Sequence, residues 1–204
     1  MSQLLRVQNF SVSSDGIACG PDQSFESPFG LDHGEMFAWA GATASWPNRT
    51  DPGGSRGIDD YFTRDFSNNI GAEIMGRNKF APYRGPWENL EWQGWWGDEP
   101  PFHTPVFVLT HHVRPSFTLS DTTFHFVNAD PATALEQARE AAQGKDVRLG
   151  GGVSTIREFL DAIWSTRCTS LSARSNSDPV YACGRHLMSC ATASTSKSCR
   201  ARAA

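Results

Sequence analysis

The chain has 204 residues, 39% of them apolar and 11% aromatic, enough to bury the core of one ordinary domain. Its net charge of −4 and pI near 5.8 exclude a globally basic protein that binds nucleic acid or an anionic membrane surface. It has neither a run of about 18 apolar residues nor the long apolar stretch of a signal peptide at the N-terminus. We therefore expect a cytoplasmic protein with reduced thiols and no nucleic-acid or membrane partner.

The charge is distributed unevenly along the chain. Up to Trp164 there are 21 acidic and 12 basic residues, whereas residues 165–204 contain one acid and six bases. The same C-terminal stretch contains nine Ser, four of the five Cys and only four residues of the Val/Ile/Leu/Met/Phe/Trp set. Such a segment can bury little apolar surface. The sequence therefore predicts a folded domain at 1–162 and a differently organised tail at 163–204.

The first half of the chain predicts few regular elements. They are a strand at 4–12, a short helix at 35–40, a helix at 61–69, an apolar strand at 71–75 and a structured loop at 81–104. The helix at 61–69 is predicted because the apolar residues Phe62, Phe66 and Ile70 recur every four residues. The loop assignment rests on the many Pro, Gly and Trp residues of its segment.

The second half alternates strands with helices. The run PVFVLT at 105–110 is typical of a strand that is buried on both faces of a parallel sheet. A strand at 123–127, a helix at 131–143, a strand at 147–149 and a helix at 154–162 follow it. This order predicts an α/β domain with a parallel sheet and right-handed crossovers.

Two turns that follow predicted strands could bind phosphate. Gly150-Gly151-Gly152 precedes a helix that begins at Ser154, so its backbone N–H groups and the helix N-terminus favour an anion. The alternative is a tight turn that uses Gly for positive φ. Gly76-Arg77, with Lys79, either holds a nucleotide phosphate through its cations or is a solvated basic turn. We expect both turns to meet in one cleft at the C-terminal edge of the sheet.

Other clusters give weaker signals. His111-His112 follows PVFVLT, but adjacent residues of an extended chain point to opposite faces and no further ligand lies at metal-binding spacing. The tail cysteines contain no C-x-x-C pair. The Trp-rich loop either stacks on a bound heterocycle or simply packs on the core. No metal site is therefore predicted.

Four stretches, taken in order, resemble a known family. They are VQNFSVSSDGIACGPD, IGAEIMGRNKF, PPFHTPVFVLTHH and VRLGGGVSTIREFLDA, spread over residues 4–162. They resemble the dihydrofolate-reductase-like reductases related to the C-terminal reductase domain of the bifunctional riboflavin-biosynthesis deaminase–reductase. The resemblance implies a mainly parallel sheet flanked by helices, with NADPH as cofactor. It also implies hydride transfer to a small pteridine-like or ribosylaminopyrimidine substrate, and it leaves a homodimer open.

The resemblance implies a role for each matching residue. Gly76 and Arg77, with Lys79, fall at the cofactor phosphates, and Thr110 and His111 fall near the adenosine ribose and any 2′-phosphate. Gly150, Gly151, Gly152 and Ser154 fall along the pyrophosphate and nicotinamide. Asp15 falls on the substrate side as the candidate catalytic residue, with a turn-forming role as the alternative. The family often has Arg where His111 stands, and a neutral His would hold a 2′-phosphate less firmly.

The tail departs from the family pattern. Family members continue after the last helix with Leu-Val-Asp-Glu-x-His-Leu and Pro-Val-x-Leu-Gly-x-Gly, the closing strands of the sheet. Back-translated with GC-rich codons and read one base earlier, residues 163–170 become Asp-Leu-Val-Asp-Glu-Val-His-Leu. When the same shifted frame is continued past Asp178 as far as Cys183, it can encode Pro-Val-Glu-Leu-Gly-Ser-Gly-Val-Arg-Leu-Trp. We therefore interpret residues 163–204 as a frameshifted, disordered tail that leaves the closing strands missing and the sheet edges exposed.

Three functions remain open from the sequence. The first is an NADPH-dependent reductase of this class, in which the nicotinamide supplies the hydride and the protein supplies orientation. The second is a catalytically impaired nucleotide- or flavin-binding module. The third is a non-functional frameshift product.

Overall fold

A computed structural model describes residues 3–8, 10–13, 17–30, 35–47 and 49–162, and the backbone of three short segments beyond residue 166. Its strands up to residue 162 are β1 (Leu5–Val7), β2 (Phe10–Ser13), β3 (Ile70–Gly76), β4 (Val106–Leu109), β5 (Phe117–Leu119), β6 (Thr122–Val127) and β7 (Asp146–Leu149). Its helices are α1 (Glu35–Gly41), α2 (Ile58–Thr63), α3 (Arg77–Phe80), α4 (Pro131–Ala141) and α5 (Val153–Ala162). The alternation of strands and helices confirms the predicted α/β class.

The main sheet is mostly parallel. Up to residue 162 its strand order is β5-β6-β4-β3-β7-β1, and only the hairpin formed by β5 and β6 is antiparallel. The strands β1, β7, β3, β4 and β6 run in the same direction. Their C-terminal ends therefore meet along one side of the sheet, which we call the carboxyl edge.

The sheet separates two layers of core. On one face, Ala72 and Ile74 of β3 pack with apolar residues of α4 and α5. On the other face, Met75 of the same strand packs with the aromatic residues of the loop at 81–104. Strand β4 contributes to both layers, with Phe107 in the first and Val108 in the second. This confirms a strand buried on both faces at 105–110.

Three elements differ from those that the sequence predicts. The predicted strand at 4–12 is two strands, because β1 joins the main sheet whereas β2 belongs to another sheet. The helix expected at 61–69 covers only Ile58–Thr63, since the chain then turns so that Asp65 and Phe66 meet Arg6 and Arg148. The short strand β5 was not predicted, because three residues, none of them buried, are too few to establish a strand period.

The three segments beyond residue 166 are short strands. Strand β8 (Arg167–Cys168) pairs parallel with β1, and β9 (Leu171–Arg174) pairs parallel with β2 and antiparallel with β10 (Pro179–Tyr181). The predicted disorder of residues 163–204 stays a prediction. Ladder hydrogen bonds use backbone groups, so an open strand edge can accept a segment of almost any sequence. The division at residue 162 and the frameshift origin of the tail stay predictions.

No helix within the described ranges is both long and apolar enough to cross a lipid bilayer.

Candidate functional site at the carboxyl edge

The carboxyl edge brings the predicted cofactor-binding segments together. Strand β3 lies between β4 and β7 in the sheet, so Gly76-Arg77 lies between Thr110-His111 and the glycine turn, Gly150–Gly152. The N–H of Gly76 donates to the carbonyl of Gly151 at 2.8 Å, and the N–H of Gly150 donates to the carbonyl of Ile74 at 3.0 Å. The expected convergence of the two turns is therefore confirmed.

Parts of the glycine turn and the neighbouring Gly76 are closely packed, whereas the space beside Gly152 is open. A Cβ atom at Gly151 would lie 2.9 Å from the Phe10 ring, and one at Gly76 would overlap Oγ1 of Thr155. Gly151 also has a φ of +113°, which side chains rarely adopt. Within the described residues, no acceptor is found for the N–H groups of Gly151 and Gly152 at the start of α5. These groups can donate hydrogen bonds to an anionic oxygen.

Arg77 takes part in a stack of cations and an indole. Its guanidinium lies 3.6 Å from the centre of the Trp87 ring and donates to the carbonyl of Gly85, and Arg114 lies 5.0 Å from the same ring. Burial lowers the pKa of Arg114, as does the neighbouring charge of Arg77. Neither guanidinium forms an ion pair with a carboxylate in the part of the chain that the structure describes. The stack therefore places two guanidinium groups that form no ion pair in the described residues beside the loop after β4, and Glu91 opposes the downward shift of the pKa of Arg114.

The loop after β4 forms the other side of the site. The hydroxyl of Thr110 accepts from the N–H of His112 at 3.1 Å, which holds the loop in a tight turn. Nδ1 of the exposed His111 lies 3.3 Å from Oδ1 of Asn128, at the end of β6. Trp87 donates from Nε1 to the carbonyl of His112, so this loop and the arginine stack are joined.

A buried cluster of charges lies under the glycine turn. Glu73 of β3 and Arg148 of β7 are register partners on adjacent strands, and Nε of Arg148 donates to Oε2 of Glu73 at 2.8 Å. Nζ of Lys79 donates to Oε1 of Glu73 at 2.9 Å. Glu73 is fully buried and Arg148 nearly so, whereas the Lys79 side chain is 29% exposed. We call Glu73, Lys79 and Arg148 the charged triad.

The triad fixes the charge state of its carboxylate. Burial alone raises the pKa of Glu73, but the adjacent Arg148 and Lys79 outweigh it and lower that pKa below its ordinary value. For Lys79, burial lowers the pKa of the ammonium, while Glu73 opposes the shift. A Cβ atom at Gly150 would overlap Oε1 of Glu73 and lie 2.5 Å from Nζ of Lys79, so the triad touches the turn directly.

The remaining candidates are Ser154, Asp15 and the Trp-rich loop. Ser154 is exposed in the first turn of α5, beside the glycine turn. Asp15 lies outside the described residues. The Trp-rich loop packs on the core, because Nε1 of Trp92 donates to the carbonyl of Phe80 and Nε1 of Trp95 to that of Phe25. Of the two interpretations of this loop, packing is the one that these contacts support.

Sequence reasoning missed Glu73, Arg148 and Arg114. For the first two a signal existed, because an acid in the apolar run IGAEIMG and a base in the neighbouring strand DVRL imply a buried pair. No local pattern marks Arg114, whose role depends on a loop folding back over Trp87.

No protein-family model and no curated protein matches this sequence. Among the described residues, no group of three or more His, Cys, Asp or Glu side chains is placed to hold a metal ion.

Proposed function

We propose that this chain is an NADPH-dependent reductase of the dihydrofolate-reductase-like class that acts on a small pteridine-like or ribosylaminopyrimidine substrate. The observation that carries the proposal is the convergence of Gly76-Arg77, Thr110-His111 and the glycine turn at one carboxyl edge. Ligands of open α/β sheets bind at this edge. The sequence resemblance supports the class of reaction.

The residues at the edge fit a dinucleotide phosphate. Within the described residues the N–H groups of Gly151 and Gly152 have no acceptor and can donate to one phosphoryl group, and the two arginines of the stack form no ion pair with a carboxylate there. Thr110 and His111 would face the ribose, and Lys79 and Ser154 would flank the pyrophosphate. The cofactor supplies the hydride, and the residues of the chain bind and orient both reactants.

The test is a titration with NADPH combined with a turnover assay on candidate substrates. Trp87 is a local reporter, since it contacts Arg77 and the loop of His112. We expect NADPH to quench protein fluorescence and Trp87→Phe to remove most of the quenching. Binding without NADPH oxidation would favour the nucleotide-binding module. No binding would contradict the proposal.

Arg77→Ala is expected to weaken NADPH binding by roughly 1.5–3 kcal/mol, the usual contribution of a hydrogen bond to a charged group. The measurement is the dissociation constant at low salt, where screening is weakest. A test at Gly151 would be less clear, since any side chain there meets Phe10.

Arg64→Ala is the matched control for this prediction. Arg64 also stacks on an aromatic ring, with its guanidinium 4.8 Å from the centre of Tyr61. We expect the same fluorescence titration to give the wild-type dissociation constant for this variant. An unchanged constant in Arg77→Ala would refute the phosphate role of Arg77.

His111→Arg is expected to raise the preference for NADPH over NADH by about tenfold, because a guanidinium adds a charge-assisted bond to the 2′-phosphate. The side chain is exposed, so the larger residue can be accommodated without repacking. Dissociation constants for both cofactors, measured in parallel, check the prediction. Equal gains for NADPH and NADH would place His111 away from the 2′-phosphate.

A further inference from the structure

Lys79 differs from the other charged groups of the buried cluster because most of its hydrogen-bonding capacity is unused. An ammonium has three N–H donors, and the structure gives Nζ one acceptor, Oε1 of Glu73. Among the described residues its other contact is the face of Phe102, with Nζ 5.7 Å from the ring centre. By contrast, Arg148 donates to Glu73 and to the carbonyl of Phe66.

The position of Nζ of Lys79 is fixed by its ion pair with Glu73. Glu73 is buried and held by Arg148, so its carboxylate cannot turn away from Lys79. The ammonium lies against Gly150 on the side where a side chain would project. Its free N–H donors are therefore next to the turn along which the proposed cofactor lies.

This placement suits an acid better than a phosphate counter-ion. Glu73 offsets only part of the positive charge, because it is shared with Arg148 and the triad keeps one net positive charge. The arginine stack, which has no carboxylate partner in the described residues, is the stronger phosphate site. A general acid needs a fixed position and a proton that it can release, and burial favours release by disfavouring the charged form.

We infer that Lys79 is the proton donor of the reduction, acting on a C=N or C=O group of the substrate that lies beside Gly150. This inference rests on the proposed function, replaces the pyrophosphate role that the resemblance implies for Lys79, and adds a second candidate catalytic residue to Asp15.

The step balances in protons and electrons. The substrate carbon accepts the hydride and forms a C–H bond, and the π electron pair of the C=N or C=O bond moves to the heteroatom. That atom takes a proton from Nζ of Lys79, which becomes a neutral amine and is reprotonated by water. The substrate gains two electrons, which the dihydronicotinamide loses.

The charged groups that face Lys79 set the direction of its pH dependence. Burial and Arg148 lower the pKa of Lys79, whereas Glu73 raises it, and the net shift is downward. Because the protonated form is the active one, turnover should fall as the pH rises through this pKa.

The first experiment measures this titration without any cofactor. The chain contains only three lysines, Lys79, Lys145 and Lys197, so ¹³C-lysine-labelled protein gives three side-chain signals that Lys→Arg variants assign. We expect Lys79 to titrate below the ordinary lysine pKa of about 10.4. Titration at or above that value would overturn the inference.

The second experiment separates a proton donor from a counter-ion. Lys79→Met and Lys79→Arg should both lower kcat by about 100-fold or more, because a guanidinium does not release its proton at neutral pH. Lys79→Arg keeps the positive charge beside the glycine turn and should bind NADPH with the wild-type dissociation constant, and both variants should lose the fall in turnover at high pH. Lys145→Met is the matched control and should leave kcat unchanged. Thermal unfolding verifies that each variant is folded, since Glu73 keeps Arg148 as partner.

The outcomes distinguish this inference from the proposed function. If the wild type oxidises NADPH and Lys79→Arg retains its kcat, the proton-donor role is wrong and the proposed function stands. If Lys79→Met weakens NADPH binding and leaves kcat intact, Lys79 is a counter-ion of the cofactor. A wild type that neither binds nor oxidises NADPH overturns both.

Discussion

Replacing Glu73 with Gln is expected to lower the free energy of unfolding by about 3–5 kcal/mol, the typical cost of removing one partner from a buried ion pair. The substitution leaves Arg148, which is nearly fully buried, without a compensating charge. Native domains are stable by only about 5–15 kcal/mol, so this loss is a large part of the total. Denaturant unfolding monitored by circular dichroism measures the change.

Asp51→Asn is the matched control, because it makes the same chemical change at a surface pair. Asp51 is 68% exposed and lies 2.9 Å from Nη2 of Arg49. We expect at most about 1 kcal/mol here, since water screens the pair. Arg49 also keeps its bonds to the carbonyls of Gly41 and Thr43. Equal losses in both variants would show that the charged triad contributes no more than a surface pair.

Glu73 also makes the free energy of unfolding depend on pH. The pKa of Glu73 in the folded protein lies below its ordinary value. The unfolded chain therefore binds the proton more readily, and the contribution of Glu73 is complete above the ordinary pKa of about 4.3. It is lost as the pH falls through the lower, folded value. The stability difference between the wild type and Glu73→Gln should therefore shrink in acid, and a constant difference would contradict the assignment.

The fold was predictable wherever apolar periodicity was continuous. The run at 105–110 and the helix that begins at Pro131 were found because burial on both faces and an N-terminal proline leave clear local patterns. The division of residues 4–12 into β1 and β2 was not predictable, because nothing local says that the two strands join different sheets.

The site was predictable at its backbone and not at its side chains. Glycines after strands mark where a chain turns at a sheet edge, so Gly76 and the glycine turn could be placed together. The partners of Arg77 and Lys79 depend on Trp87 and Glu73, which reach them through tertiary contacts. The structure therefore shows Arg77 as a stacked cation and Lys79 as an ion-paired ammonium, and the phosphate-binding role of Arg77 stays a proposal.

Composition constrains the strength of pairing in the tail. Its few large apolar residues predict that any sheet pairing beyond residue 162 is weak, and β8 and β9, which pair with β1 and β2, are only two and four residues long. Backbone pairing supplies hydrogen bonds without apolar burial, so composition constrains how stable such strands are and leaves their existence open.

Restoring the reading frame with one inserted base after the Ala162 codon is expected to raise the melting temperature and to increase reductase activity. Residues 163–170 contain two large apolar side chains, Ile163 and Trp164, whereas the restored frame supplies two Leu and two Val. Each of these that becomes buried beside β1 adds about 1.5–3 kcal/mol. At roughly 2–4 °C per kcal/mol for a chain of this size, the shift is readily measured.

Both forms are compared by thermal unfolding and by NADPH oxidation on the same substrates. The matched control carries the inserted base and a compensating deletion at the Thr166 codon, so that only a few residues after Ala162 change and the present tail follows. We expect this control to behave like the 204-residue chain, because the restored strands are absent from it. If the 204-residue chain is as stable and as active as the repaired one, the frameshift interpretation is wrong. Its present tail, with β8 and β9 paired to the domain, is then a native part of the fold.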